Sequence, residues 1–96
     1  MTIEKKKQQF NQRLTLEVKE SLLTKPCLRA KDIELLTGYS KSACYQLMND
    51  CKENFNGKAG IRTDAITTKS LCLALGTTLE EQMRLIGIAK GYITYG

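Results

Sequence analysis

Lys31-Asp32-Ile33-Glu34-Leu35-Leu36-Thr37-Gly38-Tyr39-Ser40-Lys41-Ser42-Ala43-Cys44-Tyr45-Gln46-Leu47-Met48-Asn49 reads as two helices and the bend between them. A first helix is predicted from about Ala30 to Thr37, with Ile33 and Leu36 on one side and Leu35 filling in. Gly38 follows at once and suits a left-handed stop, because glycine takes positive φ without a steric cost. Ser40 then offers its hydroxyl as the cap of a new helix. That helix is predicted from Lys41 to about Asn54. Cys44, Leu47, Met48, Cys51 and Phe55 recur in it at offsets 0, 3, 4, 7 and 11, the spacing of a one-sided amphipathic helix.

A helix-turn-helix needs these parts in this order: a short helix, a sharp bend, a cap and a longer helix. Tyr39 and Ile33 can plug the angle, and Cys44 and Leu47 can pack the second helix on the first. The outer face then carries Ser40, Lys41, Ser42, Tyr45, Gln46, Asn49 and Lys52, with no acid until Asp50 toward the flank. Lys suits guanine or phosphate, and Gln and Asn suit a bidentate pair with adenine. Ser and Tyr hydroxyls commonly reach phosphate, as do the free amides at a helix start. Lys41, Gln46 and Asn49 are therefore candidate readers of base edges, and Ser40, Ser42 and Tyr45 candidate backbone contacts. Arg29, Lys31, Lys52, Lys58 and Arg62 are candidate phosphate contacts around them. The plain alternative is a helical hairpin in a small bundle.

Asp32 to Met48 resembles the helix-turn-helix of small bacterial and phage DNA-binding proteins, in particular the excisionase-like and MerR-like group. The shared pattern is an isoleucine, a leucine, Thr-Gly, a hydrophobe, Ser, a hydroxyl or small residue, and an aromatic. Ile66-Thr67-Thr68-Lys69-Ser70-Leu71-Cys72, with Leu75-Gly76 after it, is similar to the segment C-terminal to the motif in small proteins of Bacteroides-type mobile elements. The resemblance implies that Ser40, Lys41, Ser42, Tyr45, Gln46 and Asn49 face a major groove. It also implies a transcription regulator or an excisionase-like accessory factor. The chain departs from the pattern at Glu34, where a small residue is usual, and at Cys44, where Val or Ile is usual. No strong β-hairpin signal comes after the second helix.

Residues 3–23 read as a helix, since Ile3, Phe10, Leu14, Val18 and Leu22 recur at intervals of seven and four. Lys25-Pro26 closes it, because the residue before proline avoids the helical region. Asn56-Gly57-Lys58-Ala59-Gly60 is a turn-rich break. Ile61 to Ile66 alternates weakly, which leaves room for an extended segment or a minimal wing. Thr67 can cap a short helix through Leu75, stopped by Gly76. Thr78-Leu79-Glu80-Glu81 has capping-box form and opens a helix carrying Leu79, Met83 and Ile86. Tyr92-Ile93-Thr94-Tyr95-Gly96 reads as a strand, a packed tail or a partner contact.

The expectation is an all-α fold of four to five short helices around one core, with a central helix-turn-helix. Residues 1–28 form an N-terminal helix and arm, and residues 29–96 the helix-turn-helix domain with its C-terminal helices.

Composition narrows the chemistry. The 96 residues hold 15 Lys and Arg against 10 Asp and Glu, a charge of +5. Residues 1–48 carry nine cations and five acids, and residues 49–96 six and five. The absence of His removes histidine acid–base catalysis and mixed Cys and His zinc sites. Cys27, Cys44, Cys51 and Cys72 form no close pair of the kind zinc needs, so they read as reduced, mostly buried thiols in a cytoplasmic protein. Gly57-Lys58-Ala59-Gly60 lacks the spacing of a phosphate-binding P-loop. No apolar run approaches the roughly 18 residues of a membrane span, and the polar start leads to no apolar stretch, so no signal peptide is expected. The sequence thus points to a non-enzymatic binder of double-stranded DNA, acting as a homodimer or in tandem, with no cofactor, metal or small-molecule ligand. The rival reading is a helical adaptor in a phage or conjugation assembly that reads no DNA.

Overall fold

The computed structural model describes residues 10–11 and 13–91, with Arg62 described by its backbone alone. Its elements run α1 (Leu16–Leu23), β1 (Cys27–Arg29), α2 (Ala30–Thr37), α3 (Lys41–Asn54), β2 (Lys58–Ala59), β3 (Arg62–Thr67), α4 (Thr68–Ala74) and α5 (Leu79–Ala89). The three strands form one antiparallel sheet in the order β1-β3-β2.

That sheet corrects the all-α expectation: the fold is mixed α and β, with five helices and a small sheet among the described residues. The reason is non-local. β1 is three residues long, too short to show an alternating pattern, and it takes its form from its partner. Cys27 pairs with Thr67, Leu28 with Ile66 and Arg29 with Ala65, which buries Leu28, Ile66 and Ala65. The segment read as a turn supplies β2, where Lys58 pairs with Ile66 and Ala59 with Arg62 across an irregular step. The weakly alternating segment is thus the central strand, with a partner on each side.

The first helix is also shorter than its periodicity predicts. Residues 3–9 lie outside the described residues. Thr15 caps α1, its Oγ1 accepting the Val18 amide at 3.3 Å. Before it, Asn11 Oδ1 accepts the Arg13 amide, a local bond that competes with helix formation. The Asn11 amide donates to the Leu36 carbonyl at 2.6 Å, so this arm closes over the end of α2. Lys19 sits 4.6 Å above the Phe10 ring and holds the arm to α1.

One core joins every helix. Leu22 and Leu23 of α1 meet Leu28, Ile33, Leu36, Cys44, Leu47, Met48, Cys51, Ile66, Leu71, Cys72 and Ile86. The helix bounds of α2 and α3 agree with those read from the sequence. Thr67 and Thr78 cap α4 and α5 as expected, through Ser70 and Glu81 amides. A Glu20–Lys90 ion pair ties α1 to α5.

Beyond α3 the chain turns in very little space. Asn56 has a positive φ of 55°, and a Cβ on Gly57 would lie 2.6 Å from Ser70 Oγ and 2.8 Å from the Cys51 backbone. The Gly57 amide donates to the Cys51 carbonyl, and its own carbonyl accepts the Thr67 amide. Only a residue without a side chain lets α3 end this close to the junction of β3 and α4.

Candidate nucleic-acid interface

The bend between α2 and α3 is three residues, Gly38 to Ser40. Gly38 has φ 77°, and its amide donates to the Glu34 carbonyl at 2.8 Å. Thr37 fastens the bend from inside: its hydroxyl donates to the Ile33 carbonyl at 2.6 Å and accepts the Tyr39 amide at 3.2 Å. Ser40 Oγ accepts the Ala43 amide at 3.2 Å, so its first role is to cap α3. The amides of Lys41 and Ser42 precede the first intrahelical bond and have no acceptor within the helix. Cys44, Leu47, Met48 and Cys51 are buried. Lys41, Ser42, Tyr45, Gln46 and Asn49 are exposed. At 3.6 residues per turn these exposed side chains spread over about 140° of the helix, opposite the buried arc.

The N-terminal half of α3 opens on a cleft of about 320 Å³ lined by Arg29, Ala30, Lys31, Glu34, Lys41, Tyr45 and Asp64. Four residues expected at the site meet here: Arg29, Lys31, Lys41 and Tyr45. Two acids that the reading of α3 alone did not assign to the site join them. Glu34 is half-buried and lines the cleft. Asp64 arrives from β3, and its Oδ2 lies 3.4 Å from Arg29 Nε. Both of those side chains are 60% exposed. The Arg29 backbone is fixed separately, its amide donating to Asp32 Oδ2, while Asp32 Oδ1 accepts Lys25 Nζ at 3.2 Å.

The other expected residues whose side chains are described lie apart from this cleft. Gln46 and Asn49 are exposed farther along α3. Lys52 is half-buried and donates from Nζ to the Thr63 carbonyl at 2.8 Å, which pins the β2–β3 hairpin to α3. Lys58 is exposed on β2. The Arg62 side chain and the Tyr92–Tyr95 tail lie outside the described part of the chain. At the hairpin tip Gly60 has φ 64° and Ile61 is 99% exposed. The one sequence signal for Asp64 is the weak alternation of Ile61 to Ile66, which places it on a strand without naming its neighbours.

The thiols are packing groups. Cys44, Cys51 and Cys72 are buried and free, and Cys27 is half-buried and free. Burial pushes the Cys51 and Cys72 thiols up to about 11. It also raises Cys44, against a hydrogen bond with Thr37 and with help from the Glu34 carboxylate. A raised thiol is protonated at neutral pH and a poor nucleophile. A second, apolar groove of about 510 Å³ runs past Leu23, Pro26, Thr67, Leu79 and Met83. Among the described residues, no helix is long and apolar enough to cross a membrane. Comparison of the chain with protein-family models, curated proteins and solved structures finds no match.

Proposed function

We propose that this chain binds double-stranded DNA in a sequence-specific way, without catalysis, with α3 in the major groove. The observation that carries the reading is the division of α3: a buried apolar row holds it, and Lys41, Ser42, Tyr45, Gln46 and Asn49 stand exposed with no acid among them. At 1.5 Å per residue its 14 residues measure about 21 Å, long enough to lie along a groove about 12 Å wide. Lys41, Gln46 and Asn49 read base edges. Ser42 and Tyr45 hold the backbone, with Ser40 presenting the helix start. Arg29, Lys31, Lys58 and Arg62 grip flanking phosphates, and Lys52 serves by fixing the hairpin beside α3. The role is that of a transcription regulator or an excisionase-like accessory factor of a mobile element, and that last step rests on the resemblance of Asp32 to Met48. A single α3 covers one short half-site, so the working form is a homodimer or a tandem array. Four free cysteines support a reducing, cytoplasmic setting.

Selection of bound sequences from a random duplex pool tests the reading, and a palindromic result establishes both readout and dimer. Affinity for the selected duplex falls steeply with salt, in proportion to the phosphates neutralised. Gln46→Ala and Asn49→Ala each cost about 1–3 kcal/mol at that site. Unaltered binding by the Lys41, Gln46 and Asn49 triple alanine variant removes the site assignment. The apolar groove past Leu23, Leu79 and Met83 is what favours the rival adaptor. Failure to bind any duplex at about 50 mM salt decides for that rival.

A further inference from the structure

The arm before α1 is fixed beside the start of α3. The Asn11 amide donates to the Leu36 carbonyl at 2.6 Å, in the last turn of α2. The Asn11 side chain packs on the bend itself: a Cβ on Gly38 would lie 3.6 Å from its Cγ and Nδ2. The Phe10 ring packs against the core and sits 4.6 Å from the Lys19 ammonium. Gly38 stands three positions before Lys41, at most about 11 Å along the chain. The same arm carries most of the charge surplus. Residues 1–14 hold four cations, Lys5, Lys6, Lys7 and Arg13, against one acid, Glu4, which is +3 of the chain's +5. Arg13 is exposed two positions from Asn11. Lys5 to Lys7 lie outside the described residues. Lys7 is three positions and Lys5 five positions before Phe10, so chain length alone keeps them within about 11 and 18 Å of that anchor. A basic segment tethered beside a reading helix meets the backbone of any duplex on that helix at high effective concentration.

We propose that the N-terminal arm is a second DNA-contacting element, in which Arg13 and Lys5-Lys6-Lys7 bind the duplex phosphates that flank the α3 site. This deepens the DNA-binding reading and rests on it. The anchor at Asn11 and Phe10 supplies the fixed point, so the arm grips backbone next to α3 and not backbone at large. Phosphate contacts carry no sequence information. The arm therefore strengthens binding to every duplex by the same factor, while Lys41, Gln46 and Asn49 choose among sequences. A chain with one short reading helix gains affinity in this way without a second reading element.

The test is the full chain with Lys5→Gln, Lys6→Gln, Lys7→Gln and Arg13→Gln together, measured on the duplex recovered by selection and on a mixed-sequence duplex. Its salt slope is shallower by about two to three, and its affinity for both duplexes falls about a hundredfold at 50 mM salt. The ratio between the two duplexes stays as in wild type. Arg13→Gln alone makes the slope shallower by about one. Lys69→Gln removes a charge from α4, at the apolar groove and outside the α3 cleft, and leaves the slope unchanged. Hydroxyl-radical footprinting of the selected duplex shows the fourfold variant losing one discrete patch of protection that adjoins the α3 footprint. An unchanged slope in the fourfold variant, an equal loss of slope per charge at Lys69, or protection lost evenly along the duplex overturns the inference while leaving DNA binding intact. A fall in the ratio between the duplexes also overturns it, since the arm then reads bases. A wild-type chain that binds neither duplex overturns both.

Discussion

The two ends of α3 are built for opposite purposes. At its start, Lys41 and Tyr45 stand open beside an ion pair whose two side chains are both exposed. At its end, the groups that face the body of the fold are committed. Cys51 Sγ donates to the Ser70 carbonyl at 3.7 Å, Lys52 donates to Thr63, and Gly57 is pressed against both Ser70 and the Cys51 backbone. A reading helix needs both conditions. The far end must fix its angle to the body, and the near end must keep side chains free to exchange partners.

Stability measurements separate the two ends. The largest loss comes from Gly57→Ala, because the new Cβ meets main-chain atoms that cannot rotate away. Overpacking of this kind costs about 1–3 kcal/mol, read from urea or thermal unfolding. A normal melting curve for that variant breaks the view of a clamped end.

Alkaline pH attacks the same end more gently. Burial raises the Cys51 and Cys72 thiols from 9.0 to about 11 in the folded protein. Below pH 9.0 folded and unfolded chains both hold these protons, and their contribution to stability is complete. As pH rises toward about 11 the unfolded chain loses them first, so stability falls across that window. Melting temperatures on either side of the window report the loss. The Cys51→Ala, Cys72→Ala variant, although less stable overall, has a shallower slope there.

Lys52→Met removes one charged hydrogen bond and keeps the stem, at about 1 kcal/mol or less. Amide exchange in β2 and β3 quickens, since the hairpin loses its tie to α3. Lys41→Ala and Tyr45→Ala change stability least, within about 0.5 kcal/mol, because both side chains are exposed. Their effect is on duplex affinity. A large loss of stability at Lys41 would erase the contrast between the ends.

Legibility divides along the same line. The bounds of α2 and α3, the Gly38 stop and the Ser40, Thr67 and Thr78 caps are readable because each depends on neighbours within one or two turns. Lys52 reads as a phosphate contact in the sequence for want of any local sign of Thr63, eleven residues on. Phe10 and Leu14 fit a helical period, yet the arm before Thr15 follows Asn11 and its bond to Leu36.

By itself the sequence determined a helix, a glycine bend and a capped amphipathic helix, and with them the row of polar side chains that α3 turns outward. These are short-range properties: period, cap chemistry and the one residue type that accepts positive φ at little cost. The tertiary structure alone decided that there is a sheet, and that Asp64 and Glu34 share a cleft with Arg29, Lys31 and Lys41. β1 has no pattern of its own to read. It is a strand because Leu28 and Ile66 bury each other's surface and the β3 backbone satisfies its hydrogen bonds, a partnership formed only when the chain closes across nearly forty positions.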